Sequence, residues 1–214
     1  MAEEGAVRLH ARYPAHIRAD DEVELETVAE GDAVDLFALT DRNREYLRRW
    51  LPWVDSTRSI ADTRTFIERS REQVRREQGF QCAIRFRGEL VGVIGFVYVD
   101  EANGRAEIGY WISEAAQGRG VMTRACGALV RFAFESLGLN RVEIRADIDN
   151  RRSRAIPERL GFVQEAVLRE AAITNGRYID LAMYALLRRS WGHPTGEGPT
   201  KPLGGEGAVP PRKE

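Results

Sequence analysis

The residues Gln117-Gly118-Arg119-Gly120-Val121-Met122-Thr123 stand where an alternating run, Glu107-Ile108-Gly109-Tyr110-Trp111-Ile112, gives way to a long segment of helical apolar period. A strand that feeds a helix through glycines is a ready anion site. The first backbone N–H groups of the helix have no partner, and the positive end of its dipole faces the same point. Gly118 and Gly120 let the backbone approach a ligand closely and bind it without side-chain charge. A pyrophosphate suits such a cradle. No Gly-Lys-Ser/Thr follows, so this is not a Walker A loop, and the dinucleotide-binding Gly-x-Gly-x-x-Gly is incomplete.

Composition sets the frame for that loop. The chain has 214 residues, 32 basic and 33 acidic, with 43% hydrophobic and 30% charged. This is the profile of one well-buried domain. The even charge balance argues against nucleic acid as a partner. Two basic clusters, Arg42, Arg44, Arg48, Arg49 and Arg151, Arg152, Arg154, read as solvated faces. Cys82 and Cys126 share no metal or disulfide spacing and read as small buried hydrophobes, and no metal is expected. No apolar run reaches the roughly 18 residues of a membrane span, and the N-terminus lacks the plan of a signal peptide. The expectation is a cytoplasmic protein without a membrane partner.

The elements around the loop follow from period and punctuation. Residues 1–19 are polar and read as an extension, and Val23, Leu25 and Thr27 alternate as a strand. Asp32 is placed to cap a helix carrying Val34, Phe37, Ala38 and Asp41 on or near one face, which runs on until Pro52 stops it. A second helix, from Ser59 or Asp62 to Gln78, carries Phe66, Ile67 and Val74. Strands are expected over 80–86 and 90–99 around Arg87-Gly88-Glu89, and the Asn103-Gly104 turn leads into the 107–112 strand. A helix over about 120–137 with Ala125, Leu129, Phe132 and Ala133 inward, a strand at 142–146 and a short helix from Ser153 to Leu160 come next. A closing hairpin turns at Asn175-Gly176. The order is β-α-α-β-β-β-α-β-α-β-β, a mixed α/β domain over residues 20–191 with a mainly antiparallel sheet. The Gly/Pro-rich stretch 192–214 reads as a disordered tail.

Two further pieces give the loop a context: Asp147-Ile148-Asp149-Asn150 ahead of Ser153, and Leu160-Gly161-Phe162. With them the chain resembles the GNAT superfamily of N-acetyltransferases. That family's phosphate loop, Gln/Arg-x-x-Gly-x-Gly/Ala, is matched by Gln117, Gly120 and Met122, with Met122 departing from the usual small residue. Its Asn followed by the Phe of Leu-Gly-Phe is matched by Asn150 and Phe162. The run from Asn43 to Trp53, Gly109-Tyr110-Trp111-Ile112, and Asn175-Gly176-x-Tyr178-x-Asp180 resemble the RimJ/RimL-type branch, whose members acetylate N-terminal amines of ribosomal proteins.

The resemblance implies a GNAT-type fold whose splayed strands hold acetyl-CoA. Tyr110, Trp111 and Ile112 would pair their backbone with the pantetheine arm. Gln117 and the Gly118, Arg119, Gly120, Val121, Met122, Thr123 loop would hold the pyrophosphate, and Asn150 the pantetheine or acetyl end. Asn150 could equally be a turn or helix-start residue. Acyl transfer needs a neutral amine, a polarised thioester carbonyl and a proton for the leaving thiolate. An α-amine, with pKa roughly 7.7–8.0, needs less help than a lysine at about 10.4. Glu107 is the candidate base, directly or through water; alternatively it faces water or pairs with an arginine on a neighbouring strand. Glu143 and Glu170 are weaker candidates, as charges on strands are usually exposed. The short-helix tyrosine used as an acid by many members is Pro157 here. Ser153 matches the serine that some RimL-type enzymes place near the sulfur, or it is the N-cap of the short helix. The acceptor is expected to be a protein N-terminus, with a small-molecule amine or a non-catalytic acyl-CoA sensor as alternatives. By the same resemblance the protein is a monomer or homodimer.

Overall fold

A computed structural model describes residues 12–192. The expected tail lies almost wholly outside the described residues, as do residues 1–11. The strands are β1 (His16–Arg18), β2 (Val23–Thr27), β3 (Gln81–Phe86), β4 (Glu89–Asp100), β5 (Arg105–Ile112), β6 (Arg141–Asp147), β7 (Val163–Thr174) and β8 (Arg177–Leu187). The helices are α1 (Ala33–Arg42), α2 (Arg44–Leu47), α3 (Ile60–Arg75), α4 (Val121–Arg131) and α5 (Arg151–Arg159). One sheet of eight strands runs in the order β1-β2-β3-β4-β5-β6-β8-β7. Every neighbouring pair is antiparallel except β5 and β6. This is the mixed α/β, mainly antiparallel architecture expected from the sequence.

The two sheet faces are covered by different helices, and the period-2 alternation of the strands follows that division. On one face Leu25, Ile84, Ile94, Phe96, Ile108 and Ile144 pack with Ala125, Cys126 and Leu129 of α4. On the other, Ala83 and Val93 pack with Ala33 and Leu36 of α1 and Ile67 of α3. Cys82 and Cys126 are buried free thiols, each pushed up to about 12 by burial, so they act as apolar filling. Trp191 packs on Phe134, with ring centroids 6.0 Å apart.

Five local expectations are corrected. The fold starts earlier than residue 20: Tyr13 is buried against Phe80, its hydroxyl donates to the Glu77 carbonyl, and β1 pairs with β2. The first long helix is broken at Asn43, which leaves α-helical geometry; its amide donates to the Leu39 carbonyl and its Oδ1 accepts the distant Glu114 N–H. The buried side of α1 is Ala33, Leu36, Leu39 and Thr40, whereas Val34 is 54% exposed. Asp32 does not cap α1 with its side chain; its carboxylate binds the Ala29 N–H and Arg85 instead. Finally, α4 gives way at Phe132–Ser136 to a π-helical turn, closed by the Leu137 N–H on the Phe132 carbonyl.

Candidate active site

β5 and β6 pair only at Arg105/Arg141, Ala106/Val142 and Glu107/Glu143. Beyond these residues both strands continue, to Ile112 and Asp147, but they splay apart. The backbone that faces the gap can be identified. Ser113 N–H donates to the Val91 carbonyl and Phe96 N–H to the Phe80 carbonyl. In the antiparallel alternation these two bonds turn Gly109 and Trp111 toward β4, and Tyr110 and Ile112 toward the gap. Their N–H and C=O groups form an unpaired edge able to take an extended chain as an added strand.

At the head of that gap, Gly118 and Gly120 take left-handed φ values of 72° and 71°. Gly120 is the N-cap of α4 and has no side chain to satisfy the helix. An added Cβ at either glycine would meet nothing within 4 Å, so the left-handed backbone, not crowding, requires glycine there. Val121, Met122 and Thr123 line the cleft, and Val121 and Met122 are also buried, which explains how the loop tolerates methionine. Gln117 bridges the cleft mouth, donating to the Tyr46 hydroxyl and accepting from Arg152 Nη1 at 2.6 Å. Arg119 turns away, with its guanidinium 5.9 Å from the Phe86 ring centroid, so only its backbone belongs to the loop.

The far wall is the start of α5. Asn150 is its N-cap and accepts the Ser153 N–H on Oδ1 at 3.1 Å. The helix therefore begins before Ser153, and Ser153 is not the cap. With Oδ1 committed inward, the Asn150 amide nitrogen is its remaining polar group, and the residue lines the cleft. Ser153 Oγ lies 3.3 Å from Tyr110 Oη, and burial drives the Tyr110 phenol well above its ordinary pKa.

The cleft has a volume of about 1060 Å³ and continues past Trp111 to Tyr46, Leu47, Trp50 and Pro52 on one side and Ala172, Thr174 and Ile179 on the other. The β7–β8 tip closes over it. Asn175 and Gly176 both take left-handed φ, a two-residue turn, and the Asn175 amide donates to the Arg48 carbonyl. Trp53 packs on Trp111, with centroids 5.9 Å apart, and lines a second cavity of about 560 Å³ beneath it.

Glu107 stands apart from the other candidates. It does not line the cleft, and its carboxylate pairs with Arg145 of β6 at 3.1 Å. Burial raises its pKa above the ordinary carboxylate range; Arg145 opposes that shift and Glu143 adds to it. This is the alternative in which Glu107 pairs with an arginine on a neighbouring strand. Arg145 also lines the cleft, and the sequence did not single it out, because the pairing is set by the register of a parallel pair far apart in sequence. The two basic clusters are only partly solvated. Arg152 reaches the cleft, Arg44 donates to the Val54 and Thr57 carbonyls, and Arg154 to the Tyr184 hydroxyl and the Ile148 carbonyl. Glu143 is buried, not exposed: Tyr98 Oη and Arg141 Nε donate to it at 2.9 and 2.6 Å, and these bonds outweigh burial to lower its pKa. Glu170 is exposed. Among the described residues no three His, Cys, Asp or Glu side chains are grouped to hold a metal, and no helix is long and apolar enough to cross a membrane.

An open strand edge leading to a glycine-cradled helix N-terminus agrees with a family match. Residues 22–163 match the acetyltransferase (GNAT) domain. The chain belongs to the GNAT acetyltransferase family. Among the relatives of this acetyltransferase is the candidate ribosomal N-acetyltransferase YdaF of Bacillus subtilis (strain 168), 38% identical over 176 residues, 81% of this chain and 96% of that one. The ribosomal-protein-serine acetyltransferase of Escherichia coli (strain K12) is 33% identical over 169 residues, 79% and 94% of the two chains. The solved structure of RimL, the ribosomal L7/L12 α-N-protein acetyltransferase in complex with coenzyme A, superposes with a TM-score of 0.78 at 28% identity, covering 80% of this chain and 97% of that one. Acetyl-CoA is the co-substrate of this acetyltransferase, and the unpaired edge and the open, left-handed glycines are suited to its pantetheine and pyrophosphate.

Proposed function

We propose that this acetyltransferase transfers the acetyl group of acetyl-CoA to the α-amine at the N-terminus of a protein, with ribosomal proteins as the acceptor class. The observation that carries the reading is the near full-length similarity to the ribosomal-protein-serine acetyltransferase and to the RimL structure. The charge of the cleft supports it. Arg124, Arg145, Arg152 and Arg159 line it against the acidic Glu114 and Asp147, a balance that suits the phosphates of the donor and disfavours a polycationic small amine.

In this reading the Gly118–Thr123 backbone, with Gln117 alongside, binds pyrophosphate, and the Tyr110 to Ile112 edge aligns the pantetheine arm. The Asn150 amide nitrogen donates to an amide or acetyl oxygen. Ser153 Oγ donates a hydrogen bond to the leaving thiolate without giving up its own proton. As the C–N bond forms and the C–S bond breaks, the proton shed by the nitrogen passes through water in the cleft to the departing sulfur, so CoA leaves as the thiol. Glu107 orients Arg145 and does not itself take the amine proton. That division suits an acceptor α-amine of pKa roughly 7.7–8.0, already partly neutral at physiological pH.

Thiol release from acetyl-CoA tests the proposal, using peptides that copy the N-termini of ribosomal proteins. Peptides with a free α-amine should support release, and the same peptides blocked at the N-terminus but carrying lysine should not. Release with the blocked peptides, or with polyamines alone, would overturn it.

A further inference from the structure

An α-helix bonds each N–H to the carbonyl four residues earlier, and proline has no N–H to give. Pro157 lies inside α5, so the Ser153 carbonyl loses that helical partner. The replacement comes from β5, across the cleft: Tyr110 Oη donates to the Ser153 carbonyl at 3.0 Å. A carbonyl only accepts, so the phenol proton is committed to it. The 3.3 Å contact between the two hydroxyls must therefore run from Ser153 Oγ to Tyr110 Oη. With its N–H held by Asn150, Ser153 has all three polar groups fixed by two residues of the cleft wall.

We infer that Pro157 and Tyr110 are positioning residues for Ser153: the proline frees the Ser153 carbonyl, the phenol docks on it, and the docked phenol oxygen holds the serine hydroxyl in one rotamer at the cleft. The inference rests on the reading of Ser153 as hydrogen-bond donor to the leaving thiolate. No proton leaves Tyr110. The anchored Ser153 Oγ keeps its place while its proton turns from the neutral phenol oxygen, a weak acceptor held at 3.3 Å, to the anionic sulfur, a strong one. The turn costs little, and the pre-set rotamer is the larger effect. An N–H restored at position 157 would compete for the carbonyl. The released phenol proton would then turn toward Ser153 Oγ, and the serine hydroxyl would lose its fixed direction.

The bound product gives a readout that needs no acceptor. The thiol of CoA is titrated in its complex with the whole protein, by thiolate absorbance, for the wild type, Ser153→Ala, Tyr110→Phe, Pro157→Ala and the Ser153→Ala/Tyr110→Phe double variant. Thermal melts confirm that each is folded; Tyr110→Phe keeps the ring and Pro157→Ala adds a helical hydrogen bond. One hydrogen bond corresponds to about three- to tenfold in an equilibrium constant. Ser153→Ala should lower the ionisation constant of the bound thiol by about that factor. Tyr110→Phe and Pro157→Ala should lower it by less, and the double variant should match Ser153→Ala alone. If Ser153→Ala has no effect, the reading of Ser153 fails. If Ser153→Ala has its effect but Tyr110→Phe has none, or has an equal effect with and without Ser153, the positioning role fails and the reading of Ser153 stands.

Discussion

Asn150 caps α5 with its side-chain oxygen and lines the cleft; with its amide nitrogen given to the donor substrate, as proposed, one residue couples helix stability to binding. The two contributions separate by substitution. Asn150→Ala should destabilise the protein by about 1 kcal/mol through loss of the cap and raise KM for acetyl-CoA. Asn150→Asp keeps a capping oxygen but no donor, so its melting temperature should stay near that of the wild type while KM still rises. A wild-type KM in the aspartate variant would remove the amide from the account. The family resemblance pointed to Asn150, ahead of Leu160-Gly161-Phe162, and to Ser153 three residues after it, yet the sequence could not show which of them caps the helix, because Asn and Ser are both strong caps. The decision rests on a helix start two residues earlier than Ser153.

At the scale of elements, the loop between β5 and α4 was legible because it depends on local backbone conformation. Gly118 and Gly120 occupy left-handed φ, and local requirements leave their mark in residue type. Gly120→Ala should cost about 1–2 kcal/mol through backbone strain and raise KM for acetyl-CoA severalfold with little change in acceptor KM. Equal changes in both constants would argue against a phosphate-binding loop. The β5–β6 junction was not legible. There Glu107 and Glu143 face each other across three paired residues, each with its own arginine, a register no sequence pattern announces. Glu143 read as an exposed strand charge because its partners, Tyr98 and Arg141, come together only in the sheet. The pH dependence follows from its lowered pKa. Its stabilising contribution is complete above the unfolded carboxylate pKa and is lost as pH falls through the folded one. Glu143→Gln should therefore flatten the fall in urea midpoint on going from neutral pH into the acid range, and an unchanged slope would show that other carboxylates dominate.

Across the whole molecule, the cleft is closed by parts distant in the chain: the α2 region, the Gly118–Gly120 loop, α5 and the β7–β8 tip. Gln117 joins Tyr46 to Arg152, and Asn175 joins the hairpin tip to Arg48. The elements themselves were readable from hydrophobic period and turn residues, including the Asn175-Gly176 turn. Their meeting was not, since these are single polar contacts between segments far apart in sequence. The break at Asn43 has the same cause: no glycine or proline marks it, and it is held by a bond to Glu114. The proposed function puts the donor along β5 and the Gly118–Thr123 backbone, which leaves the end of the cleft under the β7–β8 tip for the acceptor, so Asn175→Ala should raise KM for a peptide acceptor while leaving KM for acetyl-CoA unchanged. A rise in acetyl-CoA KM alone would place the hairpin on the other side of the reaction.

The central claim is that the acetyl group goes to a protein α-amine. Its most direct test is to incubate the purified protein with acetyl-CoA and the ribosomal proteins of its own organism, and to locate the added acetyl group by fragmentation mass spectrometry. The account predicts one acetyl group on the N-terminal residue of a defined ribosomal protein and unmodified lysines in the same molecule. Acetylation confined to lysine side chains, or none on any protein while a small amine is acetylated efficiently, would contradict it.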